Sequence, residues 1–211
     1  MMEMLSPWEI EEIYYEKGFH AVCGVDEAGA GPLAGPVYAA AVILPRGLVI
    51  EGLNDSKKLS AKKRDALFDE IREKAVSYAV ASVTAAEIDE IDILNARMKA
   101  MQLAIDALSV RADFALVDGN RDHGSRCVIE TPHVSVIGGD GRSESIAAAS
   151  VLAKVSRDRY CTEVMARDYP AYRFEQHKGY GTKLHYEMLD AYGPSPIHRK
   201  SFLKSWEEKQ Q

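Results

Sequence analysis

Four carboxylates in this sequence stand where chemistry is possible: Asp26 and Glu27 side by side, then Asp118, then Asp140. Each follows an apolar run (one ending in Gly24-Val25, then Phe114–Val117 and Val134–Ile137), and each is followed by glycine within three positions. Alone, each acid reads as a turn or cap residue. Together they have a different meaning, because open α/β sheets carry their active crevice at strand ends. Carboxylates converging there cannot all stay ionised without a compensating cation. All-oxygen donors select magnesium or manganese and not zinc. The chemistry that fits is two-metal cleavage of a phosphodiester. Neighbouring strand residues point to opposite faces, so Asp26 and Glu27 both serve only if the strand bends or ends there. Otherwise Glu27 has its backbone carbonyl to offer.

The elements that must position these acids follow from periodicity and punctuation. Ser6-Pro7-Trp8-Glu9 has the form of a capping box, opening a helix that runs to about Lys17 and stops at Gly18. Strands are expected over Ala21–Asp26 and Val37–Leu44, paired across the glycine-rich stretch 29–36 and closed by Pro45-Arg46-Gly47. A helix follows Ser60, a strand covers Val76–Val83, and Thr84-Ala85-Ala86-Glu87 is a second capping box. Leu94, Met98, Met101, Ile105 and Leu108 recur at helical spacing over 93–108 and read as core. Short strands precede Asp118 and Asp140. A long helix is expected from Ser143 to about Asp168, stopped by Tyr169-Pro170. Beyond Pro170 the elements are shorter and helical, with Thr182 capping a helix to Tyr192 and a last helix carrying Phe202 and Trp206. The expected architecture is an α/β mixed sheet with flanking helices and a C-terminal helical extension, divided as 1–170 and 171–211.

Composition narrows the class. With 211 residues and 46% hydrophobic content, the chain can build one large core. The net charge of −6 is concentrated in residues 1–30, which hold seven acids and one lysine. The other 25 acids and 25 bases cancel, so a basic groove elsewhere remains compatible with the total. Three cysteines without a C-x-x-C pair argue against a disulfide framework or zinc site. No signal-like or membrane-spanning stretch is visible, and the expectation is a soluble, cytoplasmic protein, monomeric and without a membrane partner.

The blocks Gly24–Pro36, Asp55-Ser56-Lys57-Lys58-Leu59, Val117–Asn120, Ser145–Ser150 with Ala153-Lys154-Val155, His177–Thr182 and Pro196–Arg199 with Ser201-Phe202 closely resemble bacterial ribonuclease HII, in family order from about 21 to 203. The resemblance implies a ribonuclease H-like core. It implies a metal-dependent endonuclease that hydrolyses the RNA strand of RNA–DNA hybrids and cuts 5′ of single ribonucleotides embedded in duplex DNA. The products would carry a 3′-hydroxyl and a 5′-phosphate, which suits ribonucleotide excision, DNA repair and replication. By motif position Asp26, Glu27, Asp118 and Asp140 match the family's acidic residues, holding Mn2+ or Mg2+ in a two-metal site.

Such an enzyme has to sense a 2′-hydroxyl. Backbone groups of Gly29, Ala30 and Gly31 are candidates, because glycine leaves the backbone uncovered. The family position between these glycines is usually arginine, and here it is Ala30, so a guanidinium contact to the neighbouring phosphate is absent. The alternative reading is therefore a hybrid-binding protein with weakened junction specificity. Tyr180 matches the family tyrosine that packs against the deoxyribose beside the ribonucleotide, and Lys57 is assigned to a phosphate. Lys154 and Arg199 are further phosphate candidates, Lys154 also a counter-charge for the acids. The histidines, including His177, His185 and His198, lack metal spacing and read as structural or substrate-adjacent. A nucleotide-binding cradle is disfavoured because the glycine stretch lacks the G-K-[ST] ending of a P-loop.

Overall fold

A computed structural model describes residues 8–54, 56 and 59–210. Ser6 and Pro7 of the first expected capping box lie outside the described residues, as do Asp55, Lys57 and Lys58. The chain forms α1 (Glu9–Glu16), β1 (Val22–Ala28), β2 (Val37–Ile43), α2 (Ala61–Lys74), β3 (Ser77–Val83), α3 (Ala85–Ile91) and α4 (Ile93–Asp106). It continues with β4 (Phe114–Asp118), β5 (His133–Val136), α5 (Glu144–Tyr160), α6 (Ala166–Asp168), α7 (Phe174–His177), α8 (Lys183–Tyr192) and α9 (Lys200–Gln210).

The five strands lie in the order β3-β2-β1-β4-β5. The first three are antiparallel, whereas β4 runs parallel to β1 and β5 parallel to β4. Alternation decides which residues face which layer. Cys23 and Val25 point toward α4, where Met98, Met101 and Ile105 complete one apolar layer. Each of those fully buried side chains contributes on the order of 1.5–3 kcal/mol. Ala40 and Val42 point the other way, against α5 and α2 through Ala148, Val151, Leu152, Leu67 and Ile71. Ala39, Ala40 and Ala41 are fully buried on β2, as are Ala148 and Ala149 on α5, so the layers approach closely.

Caps begin the helices where their residues allow. Ser60 accepts from the Lys63 N–H, and Thr84 and Glu87 complete a reciprocal capping box. One expectation needs correction: the helix from Ser143 is not a single α-helix to Asp168. It passes into a π-helical turn over Cys161–Met165 before the last turn of α6. In that turn Cys161 and Met165 are buried against Ala34, Tyr172 and Phe174. Periodicity alone cannot register a one-residue bulge of this kind, because the tertiary contact that favours it is distant in sequence. The elements after Tyr169 pack on the glycine-rich connection between β1 and β2: Leu33 is buried with Leu189 and Leu203.

Candidate active site

Register brings the acids together. Val25 lies opposite Val117 in the parallel β1–β4 pair, so Asp26 and Asp118, one residue on, stand side by side on the same face. The chain then leaves β5 through Gly138, which has a left-handed φ of 63°, and enters a one-turn 3-10 helix over Gly139–Gly141. That turn carries Asp140 back over the strand ends. The Gly139 N–H donates to Asp118 Oδ1 at 2.7 Å, and a Cβ on Gly139 would lie 2.5 Å from Ile146 Cδ1. Only glycine fits. One carboxylate oxygen each from Asp26, Asp118 and Asp140 lies within 4.8 Å of the others.

The start of α5 fixes how close Asp140 comes. Ser143 caps the helix by accepting from the Ile146 N–H. A Cβ on Gly24 would fall 2.1 Å from the Ser145 carbonyl carbon, so the helix crosses β1 where a side chain cannot exist. On its outer side the buried Glu11 carboxylate of α1 accepts from Ser143 Oγ (2.6 Å), Ser145 Oγ (2.7 Å) and the Ser145 N–H (3.0 Å). A negative group at the beginning of a helix is favoured by its unpaired N–H groups. Burial pushes the neighbouring Glu144 carboxyl up, although its side chain accepts from the Ile50 N–H.

Glu27 is not in the three-acid group. β1 stays regular through Ala28, with Asp26 opposite Ala40 and Glu27 opposite Ala39, so the two side chains emerge on opposite faces. Glu27 Oε1 pairs with Arg97 Nη2 of α4 at 2.7 Å. The strand-alternation difficulty foreseen in the sequence is therefore real, and the geometry leaves the Glu27 carbonyl as its other donor.

The donor set suits a hard divalent cation. Asp26 and Asp140 are 5% and 8% exposed, so three oxygens converge largely out of water. Like charges held that close favour a bound cation or proton. The three acids therefore fit the group that the sequence implied.

The glycine-rich connection lies beside this cluster and is held from beneath by two fully buried guanidinium groups. Arg157 donates to the carbonyls of Pro36 (3.1 Å), Lys178 (3.1 Å) and Ala34 (3.4 Å). Arg199 donates to those of Gly35 (2.9 Å), Ala30 (2.8 Å) and Gly29 (2.6 Å). A peptide whose carbonyl is drawn inward turns the next N–H outward. Arg199 thus directs the N–H groups of Ala30 and Gly31 away from the core. Among the described residues neither N–H is hydrogen bonded. Gly29 (φ 93°) leaves the space that Arg157 fills, since its Cβ would lie 1.9 Å from Arg157 Nε.

Tyr180 stands next to this turn, 41% exposed, with the Arg157 guanidinium 5.7 Å from its ring centre and Lys154 at 6.0 Å. The Leu33 N–H donates to the Gly179 carbonyl and joins the two loops. Two expectations change here. Arg199 is buried and organises backbone, so it is no phosphate contact. Lys154 pairs with Asp158 at 2.7 Å, not with the acid cluster. Arg97 and Arg157 were not singled out in the sequence, and an arginine's type alone carries no signal that it turns inward. Lys57 lies outside the described residues.

Comparison with known proteins places this arrangement. A family model described as Ribonuclease HII matches residues 23–205. A ribonuclease HII of Caldicellulosiruptor saccharolyticus is 52% identical over 198 residues, covering 94% of each chain. One from Dechloromonas aromatica is 56% identical over 182 residues, covering 86% of this chain and 90% of its own. Among solved structures, the ribonuclease H2 from Pyrococcus horikoshii OT3 superposes with a TM-score of 0.73 at 26% identity, covering 90% of this chain and 98% of that one.

Proposed function

The chain belongs to the ribonuclease HII family and is an endoribonuclease of the ribonuclease H type; from that premise we propose that it cuts 5′ of single ribonucleotides in duplex DNA as well as within RNA–DNA hybrids. The observation that carries this reading is the adjacency of a three-carboxylate cluster to a turn with two outward N–H groups. The first is a place to cleave a phosphodiester, and the second is a place to detect a ribose.

Asp26, Asp118 and Asp140 would hold the divalent cations, with Glu27 contributing from the other side of β1. Bound Mg2+ or Mn2+ supplies Lewis acidity for the attacking water and the departing oxygen. The chain's own residues do the rest. Paired strands and the 3-10 turn keep the carboxylates in place, so little reorganisation accompanies reaction. The Gly29-Ala30-Gly31 turn offers the N–H groups of Ala30 and Gly31 to the 2′-hydroxyl, and Tyr180 packs on the sugar alongside, with Lys57 on a phosphate. Water oxygen bonds to phosphorus, the P–O3′ bond breaks, and a 3′-hydroxyl and 5′-phosphate result. With no arginine at position 30, one phosphate contact is missing, which favours weaker junction binding over lost catalysis.

A duplex carrying one ribonucleotide, incubated with Mg2+, with Mn2+ or with chelator, tests the reading. The expected outcome is metal-dependent cutting immediately 5′ of the ribonucleotide. Binding without cutting in either metal would support the hybrid-binding alternative instead.

A further inference from the structure

Beneath the Tyr180 loop lie three histidines that the chemistry above does not use. His177, His185 and His198 are 6%, 0% and 2% exposed, and the rings of His177 and His185 stack 4.3 Å apart. Phe174 meets His185 edge-on, and Tyr172 closes against His198. Every ring nitrogen has a partner, and the partners dictate the protons. His198 Nδ1 accepts from the Ser195 N–H at 2.9 Å, so its proton is on Nε2. His185 Nδ1 faces the Tyr180 carbonyl at 2.9 Å and donates to it, so its Nε2 is bare. The 3.0 Å contact between the two Nε2 atoms is then a donation from His198 to His185. His177 accepts from the Gly179 N–H at Nδ1 (3.2 Å) and donates from Nε2 to the Tyr172 carbonyl (2.8 Å).

The start of the loop between these rings is held by Arg157, which donates to the Lys178 carbonyl, and by the Leu33 N–H, which donates to the Gly179 carbonyl. Lys178 and Gly179 have left-handed φ values of 52° and 82°. The Tyr180 N–H donates to the His177 carbonyl, and the Tyr180 carbonyl also accepts from the Thr182 N–H. Of the groups flanking Tyr180, its N–H is therefore held by the backbone of His177, and its carbonyl is shared between the His185 imidazole and the Thr182 N–H.

We propose that His177, His185 and His198 are positioning residues for Tyr180, a relay of neutral imidazoles with fixed tautomers that sets where the tyrosine ring meets the nucleic acid. The inference rests on the reading of Tyr180 as a substrate contact. The relay acts on the affinity for the ribonucleotide-containing strand and not on the chemical step, because none of its members reaches the acid cluster. The charged groups that act on it are Glu175 and Lys178, beside His177. Burial keeps His185 and His198 neutral, their pKa values lowered to about 4.

Two variants of one residue separate positioning from packing. In His185→Asn the amide nitrogen takes the place of Nδ1 and keeps the donation to the Tyr180 carbonyl. His185→Gln places its amide near Nε2 and loses that donation. In single-turnover cleavage of a duplex with one ribonucleotide, His185→Gln should raise the half-saturating concentration about tenfold at an unchanged maximal rate. His185→Asn should recover most of this. Equal effects of Asn and Gln, or a loss in the maximal rate alone, would overturn the proposal. Nitrogen NMR of the free protein at neutral pH should show the proton on Nδ1 of His185 and on Nε2 of the other two. Any other tautomer set would also overturn it. Tyr180→Ala isolates the underlying reading: if it leaves binding unchanged, Tyr180 is no substrate contact. If it weakens binding, adding His185→Gln should have no further effect, and additive losses would refute action through Tyr180.

Discussion

The acid cluster and the Gly29–Pro36 connection lie side by side and are held in different ways. Asp26, Asp118 and Asp140 converge with oxygens within 4.8 Å of one another, a concentration of negative charge that favours a cation. The Gly29–Pro36 connection is compensated within the protein: Arg157 and Arg199 satisfy six backbone carbonyls, in the connection and in the neighbouring Tyr180 loop. Under the proposed function the acid cluster is where a divalent cation would bind. The connection uses buried guanidinium groups to hold its carbonyls, so that the N–H groups of Ala30 and Gly31 point outward. If the proposed roles are right, substitutions in the two regions should affect cleavage and substrate discrimination separately.

The sharpest way to break this comparison is at the acid cluster. Asp118→Asn should reduce cleavage about 10³-fold or more, roughly 4 kcal/mol of transition-state stabilisation, while hybrid binding persists. Parallel cleavage and gel-shift titrations check it, and near-normal turnover would sink the assignment of the acids.

Arg199→Lys comes next. A single ammonium cannot reach three carbonyls in the geometry of a guanidinium, leaving buried acceptors without donors at about 1–3 kcal/mol each. Stability should fall by a few kcal/mol in urea denaturation. In protein that remains folded, discrimination between a ribonucleotide and a deoxyribonucleotide duplex should decline more than cleavage of a long hybrid. Unchanged discrimination would detach Arg199 from ribose sensing.

The third test uses pH. His185 and His198 titrate near about 4 in the folded protein against 6.5 when free. As pH falls, the unfolded chain takes up protons first, so their contribution is complete above about 6.5 and declines progressively toward about 4. Urea midpoints across this range should drop, and His185→Asn should flatten the slope. An identical slope in that variant would show that other groups carry the transition.

The smallest effect is expected at position 30. Ala30→Arg should tighten binding to a ribonucleotide junction several-fold and steepen its salt dependence by about one phosphate contact. Equal affinities at several salt concentrations would make the side chain irrelevant.

Much of the site was legible because strands and glycines leave strong local signatures. Apolar runs before Asp26, Asp118 and Asp140 place these acids at or near strand ends, although β1 continues two residues past Asp26 and Asp140 sits in the turn beyond β5. Alternation also gave warning that Asp26 and Glu27 diverge, which the regular pairing of β1 bears out. The roles of Arg157 and Arg199 were not legible. Arginine is usually exposed, and its inward turn here depends on carbonyls more than a hundred residues away. The histidines lacked metal spacing in the sequence, as expected. That they form a relay depends on α7, α8 and the Pro196–Arg199 segment meeting in space.

By itself the sequence determined most of the elements, the caps at Ser60, Thr84 and Thr182, the acids at or near strand ends and the family to which the chain belongs. These depend on hydrophobic period, backbone freedom and residue chemistry, which are properties of neighbours along the chain. Only the tertiary structure decided which carboxylates share a pocket, that Glu27 pairs with Arg97, and that two arginines face inward beneath the recognition turn. Those outcomes are set by strand register and by the need of buried carbonyls for donors, and both are settled between segments far apart in sequence.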